Sequence, residues 1–146
     1  MASGFNDAEQ SLGLLLWQVT NRWQAAQRAT LKPFDLTHVQ FVLLASLAWL
    51  QADGPVTQRQ LADHAGTDPM MTSQVLRALE RRQLVHRPPH PHDGRARALA
   101  ATDEGRELAN RSVRAVEACD EAFFAALGNQ AGTFADALRT LRLAAS

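Results

Sequence analysis

The sequence predicts a mainly α-helical chain that carries one small β-hairpin. Three observations point to that class. Two tetrads of capping-box type, Thr37-x-x-Gln40 and Thr57-x-x-Gln60, each open an apolar-periodic run. One stretch, Pro88-Pro89-His90-Pro91-His92-Asp93-Gly94, admits no helix and carries a hairpin-turn signal in Asp93-Gly94. Amphipathic segments of helical period stand at both ends of the chain.

In order, Leu12, Leu15, Leu16, Val19, Trp23 and Ala26 recur at helical spacing and mark a helix over about residues 7–29. Lys32-Pro33-Phe34 breaks it. The helix that opens at Thr37 contains residues 41–50, apolar nearly all round, and is therefore expected to be buried. Asp53-Gly54-Pro55 reads as a turn. A short helix over 58–65 buries Leu61, Ala62 and Ala65 and closes at Gly66-Thr67. Asp68 as N-cap and Pro69 at the first helical position start the next helix, which runs to about residue 82 with Met71, Val75, Leu76 and Leu79 inward. Two short helices around a Gly-containing turn are the helix-turn-helix arrangement. Residues 84–87 and 97–101 read as the hairpin strands, the second weakened by its alanines. Thr102 with Asp103-Glu104 caps a helix to about residue 127, with Leu108, Val113, Val116, Cys119, Phe123 and Leu127 on one side. Gly128 and Gly132 bracket a turn before a last helix over about 133–144, with Phe134, Leu138 and Leu141 inward.

A hairpin after a helix-turn-helix makes a winged helix. The expected organisation is an N-terminal dimerisation helix over 1–36, a winged helix-turn-helix over 37–102, and C-terminal dimerisation helices over 103–146. The outer helices carry apolar stripes of their own and must cover each other, within one chain or between two; dimerisation is the cheaper solution, and a homodimer is expected.

Composition bounds the function. Among 146 residues, 46% are apolar and 21% charged, ordinary for a globular chain. The apolar runs 12–17 and 41–50 fall short of the ~18 residues that span a bilayer. With no secretory leader pattern and a single cysteine, Cys119, the expected compartment is a reducing cytoplasm. Fifteen basic and fifteen acidic residues cancel, yet residues 69–101 hold six arginines against two acids, a net of +4. The remainder carries −4. Net neutrality is thus a cancellation between a basic middle and acidic flanks, and it leaves nucleic-acid binding open.

Several motifs taken together resemble the MarR (multiple-antibiotic-resistance regulator) family. Leu36-Thr37-x-x-Gln40-Phe41-x-Leu43-Leu44 is similar to its second-helix opening. Leu61-Ala62 followed by Val75-x-x-x-Leu79-Glu80-x-x-x-Leu84-Val85-x-Arg87 is similar to its reading head, and Asp93-Gly94-Arg95 with Thr102 to its wing signature. Gln83 stands where the family usually has Gly, so a left-handed residue costing ~1 kcal/mol is expected there. Ala101 replaces the usual Leu. The resemblance implies homodimers that bind pseudo-palindromic double-stranded operators, repress transcription, and are often released by a small aromatic ligand or by oxidation.

The DNA-binding candidates follow from chemistry and position. Met70, Thr72, Ser73, Gln74 and Arg77 are expected on the outward face of the recognition helix, suited to base edges and phosphates. Arg95, read at the hairpin tip, suits a minor groove, with Asp93 holding its guanidinium. Arg87 and Arg97 contact phosphate or brace the wing, and Gln58 and Arg59 stand near a helix N-terminus that suits phosphate. Trp17, Arg22, His38, Phe41 and Trp49 either line a ligand pocket between the dimer helices and the winged domain or belong to the core. His86, His90, His92 and Asp93 have metal-ligand chemistry, but a Pro-broken tip is a poor scaffold and no metal or other cofactor is expected. Cys119, on an apolar helix face, reads as a small buried hydrophobe; a redox-responsive regulator built on it is an alternative. A winged-helix protein-interaction module without DNA is another. No nucleophile–base pair or phosphate-cradling glycine loop supports an enzyme.

Overall fold

A computed structural model describes residues 10–90 and 93–144, with the side chains of 89, 90 and 93–97 outside that description. Helix α1 (Leu12–Leu31) opens on Ser11, whose hydroxyl accepts from Leu14 N at 3.2 Å. The expected start at residue 7 lies outside the described residues. The helix continues to Leu31, where a tight turn over Lys32–Phe34 takes over. Helices α2 (His38–Leu50) and α3 (Gln58–Ala65) both open on the predicted reciprocal caps. Thr37 Oγ1 accepts from Gln40 N at 3.2 Å while Gln40 Oε1 accepts from Thr37 N at 3.1 Å, and Thr57 and Gln60 repeat the pattern. The uniformly apolar α2 is the hub, burying Phe41, Leu43, Leu44 and Leu47 among α1, α3 and α4 (Pro69–Arg81), with α5 (Asp103–Phe124) against its other side.

Helix α4 starts on Asp68, whose carboxylate accepts from Met71 N at 2.8 Å. It ends on Gln83 at φ 61°, the left-handed residue that the family resemblance implies. Gln83 N donates to Glu80 O and Leu84 N to Leu79 O, at 2.9 and 3.0 Å, so the last carbonyls of the helix are satisfied without a glycine. The inward face differs from expectation. Thr72, Leu76 and Leu79 are buried, whereas Met71 is 44% exposed. Thr72 takes the inward place because its hydroxyl is satisfied locally, donating to Asp68 O at 2.7 Å and lying 2.6 Å from Thr67 Oγ1.

The hairpin is built from four short strands. β1 (Val85–His86) pairs antiparallel with β4 (Ala100–Ala101), and β2 (Pro89–His90) with β3 (Asp93–Arg97). Asp93-Gly94 therefore lies in β3 and not in the turn, because His90 pairs with Asp93. Arg95 accordingly stands on a strand and not at the tip. The expected strand over 97–101 is interrupted at Ala98-Leu99, where Leu99 N donates to Val56 O at 2.7 Å and draws a third segment into the wing base. Ala98 and Ala101 are both buried at the wing base, so these weak strand formers sit where they are covered.

Helix α5 ends three residues before the expected 127, and a turn over Ala125–Gln130 with Gly128 at φ 55° leads to α6 (Ala131–Ala144). α6 buries none of its described residues, and Leu138 and Leu141, expected inward, are 43% and 61% exposed because nothing in the single chain covers them. No single helix among the described residues is long and apolar enough to cross a membrane.

One seam joins the reading head to α5. Thr102 Oγ1 donates to Gln83 O at 2.7 Å and accepts from Gly105 N at 3.0 Å, and Thr102 N donates to Leu84 O at 3.0 Å. A Cβ on Gly105 would stand 2.0 Å from Leu84 O, so only glycine permits this approach. Gly105→Ala is expected to lose about 2 kcal/mol or more of unfolding free energy, while Gln83→Gly gains about 1 kcal/mol by relieving the left-handed residue. Chemical denaturation of the two variants beside the parent protein checks both signs.

Candidate nucleic-acid interface

Burial inward of Thr72, Leu76 and Leu79 turns Met70, Gln74, Arg77 and Arg81 to solvent, with Ser73 half-buried on the flank. Thr72 is therefore withdrawn from the reading face: it has no exposed surface, and its hydroxyl is committed to Thr67 and Asp68. The thirteen residues of α4 span about 20 Å, enough to lie along a major groove. Arg59 is exposed on the first turn of α3, beside the start of α4. Asp93, Arg95 and Arg97 are carried on β3, and their side chains lie outside the described structure, as does His92.

Arg87 is a brace. Its guanidinium pairs with Glu80 on α4 and donates through Nη2 to Gln58 Oε1 on α3 at 3.0 Å. One side chain beyond β1 thereby ties both helices of the reading head to the wing, and Gln58's carbonyl oxygen is committed to it. Sequence reasoning missed Glu80, although a carboxylate seven residues before Arg87 was the available signal. Arg82 is likewise engaged, with Nη1 donating to Asp35 O at 2.7 Å across the turn between α1 and α2. Among the described residues no cluster of three His, Cys, Asp or Glu side chains has metal-holding geometry.

The five pocket candidates are not gathered around one cavity. Trp17 and Trp49 are 68% and 74% exposed, Arg22 is exposed and Phe41 is core. Of the five, His38 alone lines an open cleft of about 750 Å³, together with Gln24, Arg28, Lys32, Asp35 and Arg82. Behind it lies a polar cluster that sequence reasoning also missed. Asp120 Oδ1 accepts from Trp23 Nε1 at 2.9 Å and from the buried Gln27 Nε2 at 2.7 Å. Gln24 Oε1 accepts from His38 Nδ1 at 2.7 Å, and the His38 ring meets Trp23 edge to face, 5.0 Å between centroids. Cys119 is half-buried beside Gln27, 3.8 Å from its Nε2, and so is less enclosed than expected.

Residues 36–96, the span of the reading head and most of the wing, match the MarR family. Over 125 residues, 85% of each chain, the protein is 44% identical to the HTH-type transcriptional regulator YdcH of Bacillus subtilis. The chain belongs to the MarR family. It is a DNA-binding transcriptional regulator and not an enzyme. Solved structures agree over nearly the whole chain. CouR of Rhodococcus jostii, crystallised with p-coumaroyl-CoA, is 30% identical with TM-score 0.83, covering 94% of this chain and 95% of its own. PcaV of Streptomyces coelicolor, solved with its natural ligand, is 27% identical with TM-score 0.79, both chains fully covered.

Burial of His38 lowers its pKa below 6.5, opposed by the nearby Asp120 carboxylate and reinforced by Arg28. The folded regulator thus binds fewer protons at this site than the unfolded chain, so stability falls as the pH drops through 6.5 toward the lowered value. His38→Gln is expected to flatten that part of the stability–pH curve, measured by denaturation between pH 8 and the acid limb.

Proposed function

We propose that this regulator acts in the cytoplasm as a homodimer that holds a pseudo-palindromic duplex operator and represses transcription until a small aromatic anion binds. The observation that carries the DNA geometry is the pairing of α4's exposed Met70, Gln74, Arg77 and Arg81 with a wing bearing Arg95 and Arg97, mounted together by Arg87. Arg77 suits guanine or phosphate, and Gln74 suits adenine. Arg59 on α3 supplies a phosphate contact, and Arg95 reaches a minor groove. Dimerisation is supported by Leu12, Leu16, Trp17, Leu141 and Leu143, each more than half exposed on the outer helices, an apolar area that a monomer would leave in water.

The ligand reading rests on the cleft that His38 lines. Arg28, Lys32 and Arg82 bring cationic side chains to one opening, and Arg82 also holds the end of the recognition helix to Asp35. An anion that takes Arg82 from Asp35 would alter how α4 is mounted. That CouR was solved with an acyl-CoA thioester of an aromatic acid supports this class of ligand.

The experiment is footprinting of the purified protein on its own promoter region, followed by anisotropy on the protected fragment across a salt series. A particle of twice the chain mass should bind that fragment in preference to random DNA, and aromatic carboxylates should release it. Arg77→Ala and Arg95→Ala should each weaken binding by roughly tenfold or more and reduce the salt slope. Arg139→Ala, a residue paired with Asp136 on α6, should change it by less than about twofold. Equal losses at all three positions would overturn the interface.

A further inference from the structure

Exposed large apolar side chains among the described residues fall into two sets. Most lie on α1, α6 and at Trp49, where a second copy of the chain would cover them. Met70 and Met71 stand apart, side by side on the first turn of α4 and 71% and 44% exposed, where neither α1 nor α6 is packed against them. Periodicity alone would have sent Met71 into the core. The inward place is instead taken by Thr72, so that two flexible thioethers project from the end of the helix that reads DNA.

We infer that Met70 and Met71 are specificity-determining residues that recognise the 5-methyl groups of thymines in the major groove. The inference rests on α4 being the major-groove helix. In that groove the thymine methyl is the apolar group among donors and acceptors, and it discriminates by contact and not by hydrogen bonding. Gln74 and Arg77, one and two turns along the same exposed side, have the hydrogen-bonding chemistry for adenine and guanine, which leaves thymine to the methionines. Their backbone is held in place: Pro69 opens the helix and the Asp68 carboxylate accepts from Met71 N at 2.8 Å. An unbranched, polarizable thioether adapts to a methyl without demanding one direction of approach.

Deoxyuridine removes the methyl and nothing else, so it tests the inference directly. On the footprinted operator fragment, each thymidine is replaced singly by deoxyuridine and affinity is measured for the parent dimer and for Met70→Ala, Met71→Ala and Met70→Leu. The parent should lose about fourfold at one or two positions in each half-site, as expected for one methyl-sized contact. Each alanine variant should lose a similar factor on thymidine DNA and show no further loss at the deoxyuridine position that its own methionine reads, while Met70→Leu keeps the sensitivity. Insensitivity of the parent at every position, or an unchanged deoxyuridine penalty in both alanine variants, overturns the inference. A protein that protects no fragment at all would instead overturn the DNA interface itself, and the inference with it.

Discussion

The geometry of this regulator depends on one close approach, the seam where the end of α4, the return strand of the wing and the first turn of α5 meet. Three hydrogen bonds of Thr102, two donated and one accepted, and a glycine with no room for a methyl group hold Gln83, Leu84 and Gly105 together. Because Gln83 accepts the Thr102 hydroxyl with its carbonyl, the left-handed turn is fixed from outside the helix as well as by its own backbone bonds. The recognition helix, the wing and the long helix of the outer layer consequently share a single anchor. None of the three can be displaced without breaking these bonds and opening the apolar packing of Leu84, Val85 and Ala101 beside them.

Around that anchor the charged side chains divide their work. Arg87 and Arg82 are spent on holding elements, the first on Glu80 and Gln58 and the second on Asp35. Arg59, Arg77 and Arg81 remain exposed. A basic count alone therefore overstates the cations available for phosphate, and the neutral total understates them. On the other side of α2, the Asp120 carboxylate gathers Trp23 and Gln27 across α1 and α5, close to a histidine whose pKa burial lowers. Polar groups in so enclosed a place are costly unless paired, so the two bonds to Asp120 favour one register of α1 against α5, even though the buried Gln27 Oε1 accepts no bond.

Legibility in the sequence followed the range of the interaction. Both capping boxes, the Asp68 cap and the bounds of α3 are set by chemistry within a few residues, and each could be read directly; the left-handed Gln83 was legible only through the family resemblance. The Val56–Leu99 bridge joins segments more than forty residues apart and leaves no local pattern. Gly105 lies within a helical pattern that says nothing about the carbonyl facing it. Thr72 and Met71 exchanged places because periodicity ranks side chains by hydrophobicity, whereas a threonine hydroxyl can satisfy itself on Asp68 and be buried at little cost. The reading face was thus legible as a face but not residue by residue. The outer helices showed their apolar stripes, though not that a single chain leaves them uncovered.

The placement of Arg82 makes α4 a lever. Its C-terminal end is held by Gln83 and by the Arg82–Asp35 contact, while its reading residues begin at Met70, about 20 Å away. If the helix-turn-helix pivots at that end, a rotation of only about 6° carries the far end through ~2 Å by simple geometry over that length. Base-edge hydrogen bonds tolerate a few tenths of an ångström. On the proposed interface, a displacement at the cleft too small to disturb the core would be amplified along the helix into loss of register with the bases.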